Sequence, residues 1–478
     1  MYNYKYDITF IDIPIKKFHV NNQLAQELNE MYLLQNKILK LKTGYHFEEK
    51  KYYYSSGILC LSTYLKNRNL TVAYINYPKD KEKLKDIILA SRCVGFSTVT
   101  ITIQTILELS KQIKKINPLI KIFLGGYHAS YFAKELLEEN QYIDSIIIGE
   151  GEIALYQLLS GVEKSKIEGL AYRKSDDSIC INEKVHFLSG EEIPSPDFSL
   201  IEDDLNDYNI YIGTMRGCIG KCNFCVNHNY WGKPRYISRN NLETTFQYLD
   251  TKIHSTTLIH IIDNVFTLNY RKLEEFKNIV SPYKTKFVFE CDTLASLINK
   301  EKINILKDMN IIKIALGFED CVDEINRKAN KNVNIIDNIK AAKMIRKYAP
   351  DICVYAYWLI GLPGTSIDSI KRNKRTIKYL IAREIVHIIS PKIFIPYPGT
   401  VFWEKREKYN LCIVSKNWDQ YERVSPPYPY VLDNINGEQL EKAFNDIVEL
   451  CNEGYIQKWN LNLIESRVNA HSTWYENE

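Results

Sequence analysis

The stretch GTMRGCIGKCNFCVNH, residues 213–228, places Cys218, Cys222 and Cys225 in one short polar loop. A closed zinc site needs four protein ligands, commonly in two close pairs, and the sequence contains no second Cys-x-x-Cys or Cys/His pair. His228, three residues after Cys225, is the neighbour that could complete such a site. Three thiolates without a fourth ligand instead fit an iron–sulfur cluster that leaves one iron open to an external ligand.

The scattered cysteines, the lack of long apolar stretches and the low net charge indicate the cellular compartment and the kinds of partner to expect. The remaining cysteines, at positions 60, 93, 180, 291, 321, 353, 412 and 451, stand singly, which is typical of buried thiols in a reducing compartment. The amino terminus lacks an apolar signal core, and no stretch approaches the roughly 18 apolar residues of a membrane span. The net charge of +4 gives no footprint for nucleic acid. We therefore expect a cytoplasmic protein without membrane insertion or nucleic-acid partner.

The cysteine loop opens a series of alternating strands and helices. After NIYIGTMRG, strand-like runs recur at TLIHIIDNVF, KFVFECD, IIKIALGFED, ICVYAYWLIGLPG and VHIISPKIFIPYPGT. These units predict a partial (β/α)6 barrel of the TIM type, open because it has fewer than eight strands. Its chemistry is expected at the carboxyl ends of the strands, where the cysteine loop begins.

A second α/β pattern precedes the loop. The runs DITFIDIP, LTVAYINYP, SRCVGFSTVT, IKIFLGG and DSIIIGEGE alternate with amphipathic stretches, which predicts a doubly wound, Rossmann-like domain. Residues 14–50 look like a helical insertion after the first strand. A polar, proline-containing segment follows the pattern. We predict a first domain over 1–190, a linker over 191–210, the barrel over 211–410 and a helical carboxyl-terminal extension over 411–478.

The two halves together resemble a known family. The Cys-x-x-x-Cys-x-aromatic-Cys loop resembles the signature of radical S-adenosylmethionine (SAM) enzymes, and HIIDNVFTLN, ALGFEDCVDEINRKANK, WLIGLPGTSID and FIPYPGT resemble that family's later strands. With its doubly wound domain, the chain is similar to cobalamin-binding radical SAM proteins over about residues 5–410. The resemblance implies that Cys218, Cys222 and Cys225 hold a 4Fe-4S cluster whose open iron chelates SAM, and that Phe224 approaches the adenine.

Further SAM-binding residues are implied at the strand ends. Glu319, at the end of KIALGFE, is expected to accept hydrogen bonds from the ribose hydroxyls, with a surface carboxylate as the alternative. Asn264, beside Asp263 in IIDNVF, is expected to orient cosubstrate or substrate. Gly361 and Pro363 of GLPG are expected to form a turn close to the adenosyl group, with a plain structural turn as the alternative.

The cobalamin half lacks the Asp-x-His-x-x-Gly loop that supplies a histidine ligand to cobalt. The loops GFSTVT, LGGYHAS and IIGEGE still match the family, although each also fits an ordinary strand-to-helix connection. His128 is predicted to anchor its loop or to lie under the corrin rather than to ligate cobalt, and Tyr127 is the other candidate for the lower face. The predicted cobalamin-binding residues are Ser97, Thr98, Thr100, Gly125, Gly126, Tyr127, His128, Gly149, Glu150, Gly151 and Glu152.

The resemblance implies an enzyme that forms a deoxyadenosyl radical and transfers a methyl group from methylcobalamin to an unactivated carbon of a small-molecule, lipid or natural-product substrate. It would need a reductant such as flavodoxin or ferredoxin. Ring closure, ring contraction or oxidation with the same cofactors is the alternative. An RNA methylthiotransferase needs three further amino-terminal cysteines, and Cys60, Cys93 and Cys180 are predicted within a helix or strands. The intact cysteine loop and Glu319 disfavour a non-enzymatic cobalamin sensor.

Aromatic residues are frequent near the carboxyl-terminal extension. They could line a pocket for an apolar substrate or form the core under that extension, because aromatic side chains cover most large buried surfaces. The residues concerned are Trp403, Trp418, Tyr421, Tyr428 and Tyr430.

Overall fold

The computed structural model describes residues 4–14, 18–20, 22–47, 50–183, 185–424, 426–461 and 475–477. The strands are β1 Ile8–Asp12, β2 Phe18–Val20, β3 Val72–Asn76, β4 Cys93–Ser97, β5 Lys121–Gly125, β6 Ser145–Ile147, β7 Leu170–Arg173, β8 Ile179–Ile181, β9 Ile210–Ile212, β10 Met215–Arg216, β11 Arg235–Tyr236, β12 Thr257–Ile261, β13 Phe287–Thr293, β14 Ile311–Glu319, β15 Cys353–Ile360, β16 Ile388–Ile393, β17 Leu411–Ile413, β18 Tyr430–Leu432 and β19 Tyr475–Asn477. The helices are α1 Asn22–Thr43, α2 Ser56–Lys66, α3 Leu84–Leu89, α4 Ile103–Ile116, α5 Tyr127–Tyr131, α6 Ala133–Glu139, α7 Glu152–Leu159, α8 Asn227–Trp231, α9 Arg239–Lys252, α10 Tyr270–Val280, α11 Lys300–Asp308, α12 Asp323–Lys328, α13 Ile335–Tyr348, α14 Ile367–Ala382, α15 Val401–Glu404 and α16 Gly437–Trp459. Among the described helices, none is long and apolar enough to cross a membrane.

The chain forms two compact units, each built from three segments that alternate along the sequence with those of the other unit. The first comprises residues 1–16, 52–208 and 229–252, and the second comprises 17–51, 209–228 and 253–478. Helix α1, in the predicted insertion, thus packs with the second unit, and α9 packs with the first. The predicted linear domain borders at 190, 210 and 410 stay predictions.

The first unit is built on a seven-stranded sheet of order β3-β1-β4-β5-β6-β7-β8. Strands β3, β1, β4, β5 and β6 are parallel, and β7 and β8 add an antiparallel edge. The parallel strands follow the order 2-1-3-4-5 of a doubly wound sheet, whose winding direction reverses between β1 and β4. The prediction of a Rossmann-like domain is confirmed, and ligands of such sheets bind at the carboxyl edge beside that reversal.

The second unit contains six parallel strands in the order β16-β15-β14-β13-β12-β9. Helices connect successive strands, as predicted for a partial barrel. Strand β13 shows how the sheet is layered: Phe287, Phe289 and Cys291 are buried, whereas the alternating Glu290 and Asp292 are partly accessible. One face of the sheet therefore packs under apolar side chains, and the other carries polar side chains into the barrel interior.

The carboxyl-terminal extension is a packed part of the second unit. In α16, the Tyr455 hydroxyl donates to the Ile389 carbonyl at 3.1 Å, and Asn452 Nδ2 donates to the Glu27 carbonyl of α1 at 2.9 Å. Trp403, Tyr421, Tyr428 and Tyr430 are buried, which favours the core-packing interpretation of the aromatic residues.

Candidate functional site

The cysteine loop follows β9 and β10. Cys218, Cys222 and Cys225 are all partly buried, and burial is the main cause that raises the pKa of each thiol, that of Cys222 to about 11. Gly220 turns beside two of them, since a Cβ at that position would lie 3.4 Å from Cys218 Sγ and 3.7 Å from Cys222 Sγ. The thiols therefore stay protonated unless a strong cationic group stabilises their thiolates.

The donor set fits a cluster better than a single ion. In the described part of the chain, no three His, Cys, Asp or Glu side chains converge as a single metal ion requires. His228 Nδ1 lies 3.3 Å from the Cys218 carbonyl oxygen, so its ring contacts the loop backbone. A 4Fe-4S cluster contacts each cysteine through a different iron, and three soft thiols suit it.

The end of β12 holds the loop on both sides. The buried Asp263 carboxylate accepts from the backbone N–H of Thr214 at 2.7 Å and of Met215 at 3.1 Å, and the Thr214 hydroxyl also donates to it. Asn264 Oδ1 accepts from Asn227 Nδ2 at 2.5 Å. Asp263 therefore fixes the chain before the cysteines, and Asn264 fixes the turn after them.

We expect Asp263→Asn to destabilise this loop. The amide keeps one acceptor oxygen and turns an NH2 group toward buried donors, which costs about 1–3 kcal/mol. Urea unfolding and the time course of iron loss after anaerobic reconstitution measure the effect. Asp351→Asn, at an exposed carboxylate, is the matched control. Equal stability and equal iron retention in both variants would show that the Asp263 contacts do not hold the loop.

The middle of the loop is anchored by Asn223, a residue that sequence reasoning missed. Its backbone N–H donates to the Ala329 carbonyl at 2.9 Å, and its Nδ2 donates to the Lys328 carbonyl at 2.7 Å and to the Tyr409 hydroxyl at 3.1 Å. Asn330 Nδ2 donates to the Lys221 carbonyl at 2.8 Å. The segment that follows α12 thus supports the turn between Cys218 and Cys225.

Glu319 lies at the end of β14, as predicted, but not on the surface. It is 5% exposed, has a left-handed φ of 58°, and forms an ion pair with Lys331, which is 8% exposed. A Cβ at Gly317 would overlap both partners, so the glycine makes room for the pair. Burial lowers the pKa of Lys331, but the Glu319 carboxylate and the nearby Cys222 outweigh it and raise the pKa overall.

Lys331 and Arg423 bring positive charge to the cysteines. Besides Lys331, the Arg423 guanidinium lies near enough to Cys225 and Glu319 to interact with them electrostatically, and its Nε donates to the Tyr397 hydroxyl at 3.3 Å. Neither residue belonged to the sequence prediction, because each is distant from the cysteines along the chain. Their charge favours thiolates and other anionic groups at this edge.

The GLPG turn contacts the carboxyl-terminal extension. Gly361 has φ of 89°, its carbonyl accepts from the Tyr430 hydroxyl at 3.1 Å, and a Cβ there would lie 2.9 Å from Leu440. Pro363 is buried within the turn, and Phe224 is partly buried. The structure thus supplies a packing reason for Gly361, and approach of the adenosyl group to Gly361 and Pro363 stays a prediction.

In the first unit, Thr98 and Gly126 join two strand ends. Thr98 Oγ1 donates to the Gly125 carbonyl and accepts from the Ala129 N–H, both at 2.8 Å. Gly126 has φ of 89°, and a Cβ there would lie 2.6 Å from the Thr98 carbonyl oxygen. Only glycine allows this approach. Thr98 is therefore buried and supports the backbone of this edge. Ser97, at the end of β4, is exposed.

His128 is buried behind the same edge. Its Nδ1 lies 3.3 Å from Thr100 Oγ1, and its ring centroid lies 5.0 Å from that of Phe132. Burial lowers the pKa of His128 to about 4, so the ring is neutral at physiological pH. This environment supports the predicted anchoring role rather than ligation of cobalt.

The third loop is held by a buried ion pair. Glu150 accepts from Arg235 at 2.9 and 2.7 Å and from the Leu188 N–H at 2.9 Å. Gly149, with φ of 79°, accepts from the Tyr230 hydroxyl at 2.9 Å. Glu152 is buried in the first turn of α7. Arg235 and Tyr230 were not predicted from the sequence.

Three aromatic side chains lie together at the carboxyl edge of the first unit's sheet. The rings of Tyr127 and Tyr230 lie 4.1 Å apart, and Trp231 Nε1 donates to the Tyr127 hydroxyl. The predicted residues that remain accessible enough to touch a bound corrin are Ser97, Gly125, Gly126, Tyr127, Gly149 and Gly151. Small glycines beside an aromatic surface at the carboxyl edge of a doubly wound sheet fit a large planar ligand.

Two family models match parts of the chain. Residues 49–159 match the B12 binding domain family, and residues 212–377 match the Radical SAM superfamily. An uncharacterized methyltransferase of Pyrococcus horikoshii is 23% identical over 73% of this chain and 76% of its own length. The anaerobic magnesium-protoporphyrin IX monomethyl ester cyclase of Cereibacter sphaeroides is 24% identical over 78% of this chain and 61% of its own length.

A solved structure shares the fold. The radical SAM methyltransferase TsrM from Kitasatospora setae, with cobalamin and a [4Fe-4S] cluster bound, superposes with a TM-score of 0.61 at 14% identity. The match covers 83% of this chain and 77% of that protein.

Proposed function

We propose that this chain, which its B12 binding and radical SAM domains identify as a cobalamin-dependent radical SAM enzyme, methylates an unactivated carbon of a small-molecule, lipid or natural-product substrate. The observation that carries the proposal is the three-thiol loop at the carboxyl end of the first barrel strand, clamped by Asp263 and Asn223. Two of the similar proteins are named methyltransferases, which favours methyl transfer.

Cys218, Cys222 and Cys225 would hold the 4Fe-4S cluster and leave one iron for SAM. When bound, the cluster, SAM and cobalamin would supply a carbon-centred radical and a transferable methyl group. In the second unit, the chain's own contribution is positional: Asp263, Asn223 and the Glu319–Lys331 pair keep the loop and the neighbouring strand end rigid. We further propose SAM contacts by Phe224, Asn264, Glu319, Gly361 and Pro363.

The first unit would bind cobalamin through its accessible edge. We propose direct contacts by Ser97, Gly125, Gly126, Tyr127, Gly149 and Gly151. The buried residues Thr98, Thr100, His128, Glu150 and Glu152 would hold the three loops in place. Because His128 is buried and its Nδ1 lies 3.3 Å from the Thr100 hydroxyl of the neighbouring loop, we propose that His128 does not ligate cobalt.

A methylthiotransferase would need three amino-terminal cysteines for a second cluster, and the positions of Cys60, Cys93 and Cys180 do not favour that role. Cys60 is buried in α2, Cys93 is buried at the start of β4 with Sγ 2.9 Å from the Asp7 carbonyl, and Cys180 lies in β8. Burial raises the pKa of Cys93 strongly. These thiols lie within secondary structure rather than in strand-end loops, which supports setting a second cluster aside.

The decisive experiment follows the label from SAM. We expect the anaerobically reconstituted enzyme, given SAM with a labelled methyl group, a reductant such as flavodoxin and a small-molecule extract, to form 5′-deoxyadenosine and a labelled product. Omission of cobalamin is the control and should remove the label transfer. Deoxyadenosine without label transfer would favour ring closure or oxidation, as in the cyclase relative. If the enzyme forms neither 5′-deoxyadenosine nor a labelled product, the proposal is wrong.

A further inference from the structure

On the interior face of the barrel sheet, four side chains on adjacent strands contact one another in a row. Tyr211, His260, Glu290 and Lys313 occupy one register on β9, β12, β13 and β14. His260 Nδ1 lies 2.5 Å from Glu290 Oε1, and Lys313 forms an ion pair with Glu290. The Tyr211 ring stacks on His260 at 4.8 Å. Each group in this row already has a partner within the protein.

Asp292 lies two residues beyond Glu290, nearer the carboxyl end of β13 and on the same face. The Tyr357 hydroxyl donates to its Oδ1 at 3.1 Å, and the Tyr355 and Tyr357 rings meet edge to face at 5.3 Å. Within the described ranges, no lysine, arginine or histidine forms an ion pair with Asp292, in contrast to Glu290 and Glu319. Asp292 thus has no direct ion pair among the described residues, although Lys313 lies near enough to lower its pKa.

Open space adjoins this carboxylate. Tyr357 is 37% exposed although it lies in the middle of β15, which is paired on both sides with β14 and β16. Its sequence neighbours Ala356 and Trp358, on the other face, are fully buried. Ile262, just past β12, is 49% exposed. The accessible area therefore belongs to the interior side of the sheet.

We propose that Asp292 and Tyr357 bind a protonated amino group of the substrate, which makes an amine-bearing small molecule the substrate class. A carboxylate beside a tyrosine hydroxyl attracts an ammonium group through its charge and through charge-assisted hydrogen bonds. A substrate carboxylate would be repelled there, and a neutral hydroxyl would leave the negative charge uncompensated. The substrate assignment rests on the proposed function, whereas the amine site rests on the geometry alone.

The local charges predict how binding depends on pH. Burial, and next the Glu290 charge, raise the pKa of Asp292 to about 7, opposed by Lys313 and the Tyr357 hydrogen bond. Glu319 on β14 adds to the rise, and His260 on β12 faces the same interior. An alkylamine stays protonated around neutral pH. Amine binding should therefore strengthen as pH rises through about 7, because Asp292 ionises.

The test compares benzylamine with the isosteric benzyl alcohol by saturation-transfer NMR titration. The full chain carries both cofactors and saturating SAM, without reductant, so that SAM stays intact and occupies its own site. We expect benzylamine to bind about tenfold more tightly than the alcohol, because its ammonium group forms a charge-assisted hydrogen bond to the Asp292 carboxylate. Asp292→Asn should abolish this difference and flatten the pH dependence, and Tyr357→Phe should weaken amine binding by a smaller factor.

Asp433→Asn removes an exposed carboxylate with the same change in charge and should leave amine binding unchanged. Equal binding of the two probes by the unaltered protein would overturn the proposal, and this comparison does not depend on the folding of any variant. Unchanged amine binding by Asp292→Asn would overturn it as well. Because the readout is binding, it is independent of the label-transfer experiment, so the two proposals fail separately.

Discussion

Cys222→Ala should yield a protein that folds but retains almost none of the iron of the reconstituted enzyme. The cluster needs a thiolate ligand on each of three irons, and two cysteines are too few to retain it. We expect iron to fall from about four atoms per chain to background. The visible charge-transfer absorption and the formation of 5′-deoxyadenosine should disappear with it.

Cys412→Ala provides the matched control, because Cys412 is exposed in β17 and lies outside the loop. It should keep the iron content and absorption of the unaltered enzyme. Unchanged iron and absorption in Cys222→Ala would contradict the cluster assignment. The corresponding variants of Cys218 and Cys225 should match Cys222→Ala, because all three thiols are needed to hold the cluster.

Lys331→Met should lower the free energy of unfolding by about 3–5 kcal/mol, because it leaves the Glu319 carboxylate buried without its cation. Urea unfolding at neutral pH, under anaerobic conditions, measures the loss. Adding Glu319→Gln to the same chain should restore most of it, since a neutral amide no longer needs a counter-charge. The partial recovery separates loss of the pair from loss of the lysine's packing.

Lys328→Met is the control, because Lys328 is on the same segment and its side chain is 46% exposed. An exposed ion pair contributes only about 0–1 kcal/mol, so this change should be nearly neutral. If Lys331→Met unfolds at the same urea concentration as the unaltered chain, the pair does not stabilise the fold. If the double variant is less stable than Lys331→Met, Glu319 has another essential partner.

The sequence predicted what local patterns encode. Alternating apolar runs predicted the strands of both sheets, and the spacing of Cys218, Cys222 and Cys225 located the loop at the first barrel strand. Glu319 was expected at a strand end and lies there. Its partner Lys331 could not be found in this way, since the pairing depends on the left-handed turn at Glu319 and on the room left by Gly317.

Other contacts depend on distant parts of the chain. Gly361 was linked to a ligand because glycine permits close approach, and the structure adds a contact that the sequence did not predict, from the Tyr430 hydroxyl to its carbonyl. Asp292 is one polar residue in an alternating strand, and only the folded sheet, in which β14 separates β13 from β15, shows that Tyr357 faces it. Arg235 contacts Glu150 from 85 positions away. Such pairs follow from the packing of strands and loops, which local periodicity does not specify.

The exchange of segments between the two units constrains how the protein is made. The first unit requires residues up to 252, and α1 of the second unit is synthesised before most of the first. During translation, the doubly wound sheet therefore cannot acquire α9 until the cysteine loop has already left the ribosome, and α1 must wait for strands that are made much later. The first unit is therefore complete only after residue 252 has been synthesised, and the second only near the end of the chain.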